Sequence, residues 1–251
     1  MAGHSKWKGI KHKKAIVDAQ RGKAFSKVIR EITAAARLGG GNPEGNPRLR
    51  LAIQKSREVN LPKDTLDKAV KRGTGDLPGV SYEEMTIEGY GPGGVAVLVE
   101  LLTDNKNRTS AEIRSLFAQH GGNLAGAGSV SWLFQKKGLI TLETKGRGEE
   151  QLMEIVLDAG AEDLKVEGGQ ATVITSPAAL EPVKQALQKA NVAWDSADLS
   201  AVPSSIVRVD DPAKAKALLS LLDSLEEHED SQHVYANFDI SDALLEQAGT
   251  T

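Results

Sequence analysis

The chain contains no cysteine among its 251 residues, so disulfide bonds, thiolate zinc sites and a thiol nucleophile are all excluded. Aromatic residues make up only 4%, and the protein cores must therefore be built mainly from Leu, Ile, Val and Ala. No apolar run approaches the roughly 18 residues of a membrane span, and the N-terminus lacks the apolar stretch of a secretory signal. The lack of cysteine fits a reducing compartment, and neither a membrane span nor a secretory signal is expected.

Common catalytic and cofactor signatures are also missing. None of the patterns G-x-x-x-x-G-K-[ST], G-x-S-x-G or H-E-x-x-H occurs. Residues 89–94 fit the letters of G-x-G-x-x-G, but β-branched residues follow where a dinucleotide site needs a helix N-terminus, so a turn between strands is predicted. His228 and His233 stand among acidic residues, yet their spacing across a helix end preorganises a metal site poorly, which favours a solvated acidic helix end. No metal, cofactor or catalytic residue is predicted.

Charge is distributed very unevenly along the chain. The formal net charge is −3, but residues 1–75 carry +12 and the remainder carries −15. A merely solubilising surface would intersperse both signs, so this asymmetry indicates a polyanionic partner for the basic part. Nucleic acid is the expected partner. The acidic remainder is expected to contact protein, or to keep the rest of the molecule off the polyanion.

Residues 1–14 (MAGHSKWKGIKHKK) contain five lysines and no acidic residue, and two glycines interrupt any early helix. Such a segment cannot bury enough apolar surface to fold alone, so we predict a mobile basic arm that becomes ordered on binding. Trp7 lies within this arm. It either packs against the folded domain, which is the default for an aromatic side chain, or stacks on a base.

The residues after the arm predict a bundle of three helices. One apolar stripe at helical spacing consists of Phe25, Val28, Ile29, Ile32 and Ala36. Asn46 and Pro47 are typical of the N-cap and first position of a second helix, and a third helix is expected from about Pro62 to Gly73. Short connections between them indicate a small bundle over residues 15–76. A helix lying on a membrane is disfavoured, because the helix is Ala-rich and its apolar stripe is better explained by packing on the next two helices.

Short strands and helices are expected beyond residue 76. Thr109 and Glu112 have the spacing of a capping box, which predicts that a helix begins there. Residues 130–135 and 139–142 are interpreted as two strands joined by a Lys-Lys-Gly turn. Asp211 is expected to open a later helix.

The order of these elements predicts the domain organisation. Residues 138–203 have the content of one complete β-α-β-β-α-β unit, and residues 77–137 together with 204–251 have strand and helix content for a second. We therefore expect an α+β multidomain fold, with an N-terminal three-helix bundle and two small split β-α-β (ferredoxin-like) domains, one inserted in the other.

Several motifs together closely resemble the YebC family. They are residues 1–14, Asp18 with Arg21-Gly22-Lys23, Arg30-Glu31-Ile32, Asn46-Pro47-Arg48-Leu49-Arg50, Asn60-Leu61-Pro62-Lys63-Asp64 and the glycine-rich run 89–94. The likeness extends over essentially the whole chain, and MAGHSKW and Asn-Pro-Arg-Leu-Arg are highly specific. The resemblance implies one helical domain and two α/β domains. Mitochondrial relatives, including the translational activator of cytochrome oxidase subunit one, carry a targeting extension; this chain starts directly on the motif, so a bacterial cytoplasmic protein is expected.

The resemblance also implies a role in gene expression. Members of the family are described as DNA-binding transcriptional regulators or as ribosome-associated translation factors that relieve stalls such as those at proline runs. A non-enzymatic nucleic-acid-binding regulator is therefore the predicted function, with a ribosome-associated factor that binds ribosomal RNA as the alternative. The lack of a convincing recognition helix slightly favours structured RNA. An enzyme on a phosphorylated substrate is a distant alternative, because no convergent acid and base residues stand out.

The candidate nucleic-acid-binding residues are basic or aromatic side chains of the arm and outward Lys and Arg side chains of the helices. They are His4, Lys6, Trp7, Lys8, Lys11, His12, Lys13, Lys14, Arg21, Lys23, Lys27, Arg30, Arg48, Arg50, Arg57, Lys63 and Lys71. If about six phosphates are neutralised, binding to duplex DNA should weaken with salt with a log–log slope near −5.

Overall fold

The computed structural model describes residues 18–241 and 244–245, with side chains described from residue 22 onward. The predicted basic arm, residues 1–14, lies outside these described residues. The described chain is α+β, with seven α-helices and two four-stranded sheets, which confirms the predicted fold class. Residues 132–204 form one compact unit, and the described residues before and after them form the other. None of the described helices is long and apolar enough to cross a membrane.

The helical domain consists of three helices. They are α1 (Asp18–Gly39), α2 (Pro47–Glu58) and α3 (Lys63–Thr74). Asn46 is the N-cap of α2, as predicted, because its side-chain oxygen accepts a hydrogen bond from the backbone N–H of Leu49 at 3.1 Å. Its amide also donates to the carbonyls of Ala35 and Gly40, each at 2.8 Å. One buried side chain therefore starts α2 and fixes the end of α1.

Close packing of α3 on α1 depends on a glycine. A Cβ at Gly73 would lie 2.5 Å from the carbonyl oxygen of Thr33 and 2.6 Å from the Cβ of Ala36. The expectation that α3 stops at Gly73 is wrong, because this glycine lies inside the helix and allows the close approach. The helix instead ends at Thr74, followed by Gly75 in the left-handed conformation.

The α/β domain of the first unit begins with a hairpin. Its first elements are β1 (Glu83–Gly91), β2 (Val95–Thr103), α4 (Lys106–Gln119) and β3 (Asn123–Leu124). A single 3-10 turn at Pro92–Gly94 joins β1 to β2, and Gly93 and Gly94 have positive φ angles of 81° and 75°. The predicted glycine-rich turn between strands is therefore confirmed.

The second unit is the inserted domain. Its elements are β4 (Phe134–Glu143), α5 (Glu149–Asp158), β5 (Ala161–Glu167), β6 (Gln170–Thr175), α6 (Leu180–Lys189) and β7 (Ser196–Pro203). The antiparallel sheet has the order β5-β6-β4-β7. Along the chain, α5 follows β4 and α6 follows β6. This is the split β-α-β arrangement that was expected.

One strand of this sheet differs from the prediction. The expected turn at residues 136–138 is wrong, because β4 continues straight through it. Gly138 pairs with Thr175 on one side and with Leu199 on the other, and a Cβ there would lie 2.2 Å from the Thr175 hydroxyl oxygen. The glycine therefore makes room for a neighbouring side chain and does not mark a turn.

The chain then returns to the first unit and completes its α/β domain. The remaining elements are β8 (Val207–Arg208), α7 (Pro212–Glu227), β9 (Ser231–Ala236) and β10 (Phe238–Asp239). The sheet order is β3-β1-β2-β9, so that β2, α4 and β3 form a split β-α-β unit around β1. Asp211 caps α7, as predicted, by accepting from the N–H groups of Ala213 and Lys214. β9 follows α7 closely, so the residues between them are held at the end of the sheet.

Candidate nucleic-acid interface

The acidic segment at the end of α7, residues 226–230, is only partly the solvated helix end that was expected, because Glu227 and Glu229 are exposed but Asp230 is buried. Asp230 is only 2% exposed. One of its carboxylate oxygens accepts hydrogen bonds from the hydroxyls of Thr103 and Thr109 at 3.0 and 2.6 Å, and from Arg108 at 3.0 Å. The predicted capping box, in which Thr109 would begin the helix, is wrong. Asn105 caps α4, and Thr109 lies inside the helix and contacts Asp230.

The environment of Asp230 keeps it charged. Burial alone would raise the pKa of this carboxyl group, but the hydrogen bonds from the two threonines and Arg108, with the charge of Arg30, outweigh that effect. The pKa of Asp230 therefore lies below its usual value of 3.8. At neutral pH the segment contains a buried anion.

Arg30 of α1 contacts this anion directly. Its Nη1 donates to the second carboxylate oxygen of Asp230 at 2.7 Å and to the backbone carbonyl of Glu229, and its Nη2 lies 3.2 Å from the Glu229 carboxylate. The guanidinium carbon also lies 5.8 Å from the centroid of the Tyr82 ring. Only 14% of the Arg30 side chain is exposed. This candidate phosphate ligand is thus engaged by the protein itself.

Two lysines of α1 contact the same acidic segment. Lys27 donates to the backbone carbonyl of Glu226, in the last turn of α7. This carbonyl is one of those that an α-helix leaves without an internal partner, and it lies at the negative end of the helix dipole. Lys23 lies 3.4 Å from the Glu227 carboxylate in an exposed pair. The basic face of α1 therefore binds the negative end of α7.

Arg48 of α2 is also paired. Its Nε and Nη2 donate to the two carboxylate oxygens of Glu31 at 2.7 and 2.9 Å, which is a bidentate pair, and its Nη1 bonds to Glu84 on β1. The hydrogen bonds with Glu31, followed by those with Glu84, raise the pKa of Arg48 further above its usual value. A second candidate position is therefore held by acidic side chains.

The other described candidates remain exposed. They are Arg50 and Arg57 on α2, and Lys63 and Lys71 on α3. Two exposed basic residues of α3 were missed, Lys68 and Arg72. Their spacing could have revealed them, because Lys68 lies three residues before Lys71 and four residues before Arg72, and residues at these spacings are neighbours on a helix surface. We call these six side chains the exposed basic residues.

The remaining candidates belong to the N-terminal part of the chain. His4, Lys6, Trp7, Lys8, Lys11, His12, Lys13 and Lys14 lie outside the described residues, as does the side chain of Arg21. The two histidines beside the acidic segment have separate partners. His228 lies 3.0 Å from the Glu112 carboxylate, whereas the ring of His233 stacks on Tyr235. The described residues contain no group of three or more potential metal ligands.

Comparison with known proteins gives the same family for both parts of the chain. The model of the TACO1/YebC protein N-terminal domain matches residues 5–76, and that of the TACO1/YebC second and third domain matches residues 82–238. A protein of Carboxydothermus hydrogenoformans is 54% identical over 96% of this chain and 100% of its own length. One from Geobacter sulfurreducens is 53% identical over 98% and 99%. Both carry the name "Probable transcriptional regulatory protein".

A solved structure shows the same fold. The crystal structure of a conserved hypothetical protein from Aquifex aeolicus has a TM-score of 0.80 and 47% sequence identity, and the match covers 90% of this chain and 93% of that one. The motifs that resemble the family are thus supported by both sequence and structure over nearly the whole length. The chain belongs to the TACO1/YebC family.

Proposed function

We propose that this protein is a non-enzymatic regulator of gene expression that binds nucleic acid through its helical domain. The names of its relatives support a regulatory role. The observation that carries the proposal is the set of exposed basic residues on α2 and α3, which the fold leaves in solvent while it pairs other cations of the same domain. Exposed cations on rigid helices suit a polyanion, because they neutralise phosphates and release condensed counterions.

Duplex DNA is the first candidate target, because α2 carries side chains able to read bases. Arg50, Gln54 and Arg57 are all exposed and follow one another at helical spacings of four and three residues. Arginine pairs with guanine, and glutamine with adenine, in the major groove, which admits an α-helix. The opposite face of α2 is buried through Leu49 and Ala52, so the helix is rigidly supported.

Structured RNA is the second candidate target, and α3 favours it. The exposed side chains of α3 include Lys63, Lys68, Lys71 and Arg72 but no Asn or Gln. Such a helix lacks the amide side chains that read adenine and is suited mainly to phosphate contacts. Recognition through backbone and shape is the usual mode for double-stranded RNA. In this case the protein would act on the ribosome during translation.

The test measures binding of the full chain to a labelled duplex DNA and to a labelled ribosomal RNA hairpin across a salt series. The Arg50→Gln/Arg57→Gln double variant is compared with Lys189→Gln/Lys216→Gln, which removes the same charge from exposed positions elsewhere. We expect the α2 variant to bind about tenfold more weakly at low salt and to reduce the log–log salt slope by about two, while the control keeps both values.

The result also separates the two targets. A Gln54→Ala variant that changes the preferred duplex sequence, without changing the salt slope, supports DNA reading by α2. Tighter binding to the RNA hairpin, with no sequence preference on duplex DNA, supports the translation role. Equal effects of the α2 variant and its control on every probe would contradict nucleic-acid binding by this domain.

A further inference from the structure

The contact between α1 and the acidic segment resembles a contact between a basic helix and a polyanion. Arg30 bonds to two carboxylates and a carbonyl, Lys27 bonds to a helix C-terminal carbonyl, and Lys23 pairs with a carboxylate. Negative oxygens of this kind occupy the donor groups that a nucleic-acid backbone would otherwise take. The α1 face and the acidic segment are therefore complementary in charge and in hydrogen bonding.

We propose that residues 226–230 act as an intramolecular competitor for nucleic acid, so that full binding requires α1 to leave the acidic segment. This inference rests on the proposed function, since it concerns regulation of the same interface. In the closed state α2 and α3 offer the exposed basic residues, while the acidic segment holds Lys23, Lys27 and Arg30. In the open state Lys23, Lys27 and Arg30 add to them, which enlarges the number of phosphates that the domain can neutralise.

The composition of the contact makes opening feasible. The buried apolar residues of the helical domain form one cluster, around Ile32 and Leu49, and those of the discontinuous α/β domain form another, around Phe117 and Leu218. Ion pairs and hydrogen bonds, together with the approach of Arg30 to Tyr82, link the two domains at this point. A polar interface within one chain favours relative motion of its domains. The connection between them, residues 75–81, is exposed along its whole length.

The strengths of the individual pairs indicate how the contact would open. Lys23 and Glu227 are each about half exposed, and the Glu229 carboxylate is 75% exposed, so salt and competing anions weaken both pairs. Arg30 and Asp230 form the buried centre of the contact. The outer carboxylates are therefore the positions at which the balance between the closed and open states can be shifted without disturbing a core.

The first test removes those carboxylates in the full chain. Glu227→Gln/Glu229→Gln is compared with Glu154→Gln/Asp158→Asn, which changes the net charge equally at exposed positions of the inserted domain. The probes are the labelled duplex DNA and the labelled ribosomal RNA hairpin. We expect affinity for the bound probe to rise about threefold to tenfold and the salt slope to become more negative by about two, because more phosphates are neutralised. The control should change affinity by less than about twofold.

The second test closes the contact covalently. Because the chain has no cysteine, Lys23→Cys/Glu227→Cys can be cross-linked by a bis-maleimide with a reducible spacer, and only these two positions react. We expect the cross-linked protein to bind nucleic acid more weakly than the same variant before cross-linking. Reduction of the spacer should restore the affinity.

The outcomes distinguish this inference from the function on which it rests. If the unmodified chain binds a probe, but neither the carboxylate variant nor the cross-link changes affinity or salt slope, the acidic segment is not a competitor and the proposed function stands. If the unmodified chain and the carboxylate variant both fail to bind either probe, the proposed function is wrong and the competition with it.

Discussion

Helix α1 and the pair α2–α3 belong to the same basic domain, but their cations are used differently. On α1, Lys23, Lys27 and Arg30 face the acidic segment of the α/β domain. On α2 and α3 the six exposed basic residues lie in solvent. The net charge of a domain therefore overstates what it offers to a partner, because part of that charge is already neutralised inside the chain.

The difference also separates arginines that hold the closed state from arginines that already lie in solvent. Arg30 is nearly buried and pairs with a buried carboxylate, so the stability of the closed state depends on it. Arg57 is exposed, and its substitution should alter binding while stability stays nearly constant. Burial and partners, more than residue type, decide which property a substitution changes.

The largest expected effect comes from Asp230→Asn, which removes the buried negative charge that Arg30 of α1 contacts. The variant leaves Arg30 and Arg108 without their buried counter-charge, so we expect the free energy of unfolding to fall by about 3 kcal/mol. Urea denaturation at neutral pH measures this change. Arg57→Gln is the control on the α2 side and should change stability by less than about 0.5 kcal/mol.

The same carboxylate should make stability depend on pH in acid. The pKa of Asp230 is lower in the folded protein than its usual value of 3.8, so its contribution is present above that value and is lost as the pH falls through the folded pKa. Below about pH 4 the difference in stability between the unmodified chain and Asp230→Asn should therefore shrink. A difference that stays constant down to pH 2 would contradict the charged state of this carboxyl group.

Local patterns were sufficient to predict the helical domain. The apolar stripe of α1 contains Ile32 and Ala36, which are fully buried, and the Asn-Pro pair begins α2 as expected. Both signals depend only on residues within a turn or two of each other. Arg50, Arg57, Lys63 and Lys71 were predicted for the same reason, because the outer face of an amphipathic helix follows from its inner face, whereas Lys68 and Arg72 were missed.

The wrong predictions share a different cause. Gly138 was interpreted as a turn and Thr109 as a helix cap, but one makes room for Thr175 and the other bonds to Asp230. The acidic segment was expected to be a solvated helix end, and only part of it is, because it also binds α1 from roughly 200 residues away in the sequence. Each of these partners is distant along the chain, and hydrophobic periodicity or local spacing carries no information about it.

The next prediction compares the two basic faces by their effect on affinity. In the unmodified chain, Lys23→Gln/Lys27→Gln should reduce affinity for the bound nucleic acid less than Arg50→Gln/Arg57→Gln does, because the acidic segment already occupies the α1 lysines. In the Glu227→Gln/Glu229→Gln background the α1 variant should reduce affinity more, by a factor approaching about tenfold at low salt. Fluorescence anisotropy titrations of all four combinations measure the coupling.

This cycle has a clear opposing result. If the α1 variant costs the same affinity in both backgrounds, the lysines are equally available with and without the outer carboxylates. The division of the domain into occupied and exposed faces would then have no consequence for binding.

The smallest expected effect concerns Arg48, which is more exposed than Arg30 but, unlike Arg57, is paired with carboxylates. It forms a bidentate pair with Glu31, but about a third of its side chain is exposed, so solvent screens the pair. We expect Arg48→Gln to reduce the free energy of unfolding by about 0.5 kcal/mol, measured by urea denaturation. A double-mutant cycle with Glu31→Gln should recover most of that amount as coupling, and one with the more exposed Glu84 should recover less.

Because Glu31 already holds the guanidinium, Arg48→Gln should also reduce nucleic-acid affinity less than Arg57→Gln does. If both substitutions reduce affinity equally, pairing with a partly exposed carboxylate does not withhold an arginine from phosphates, and the cations withheld in the closed state are those of α1 that contact residues 226–230.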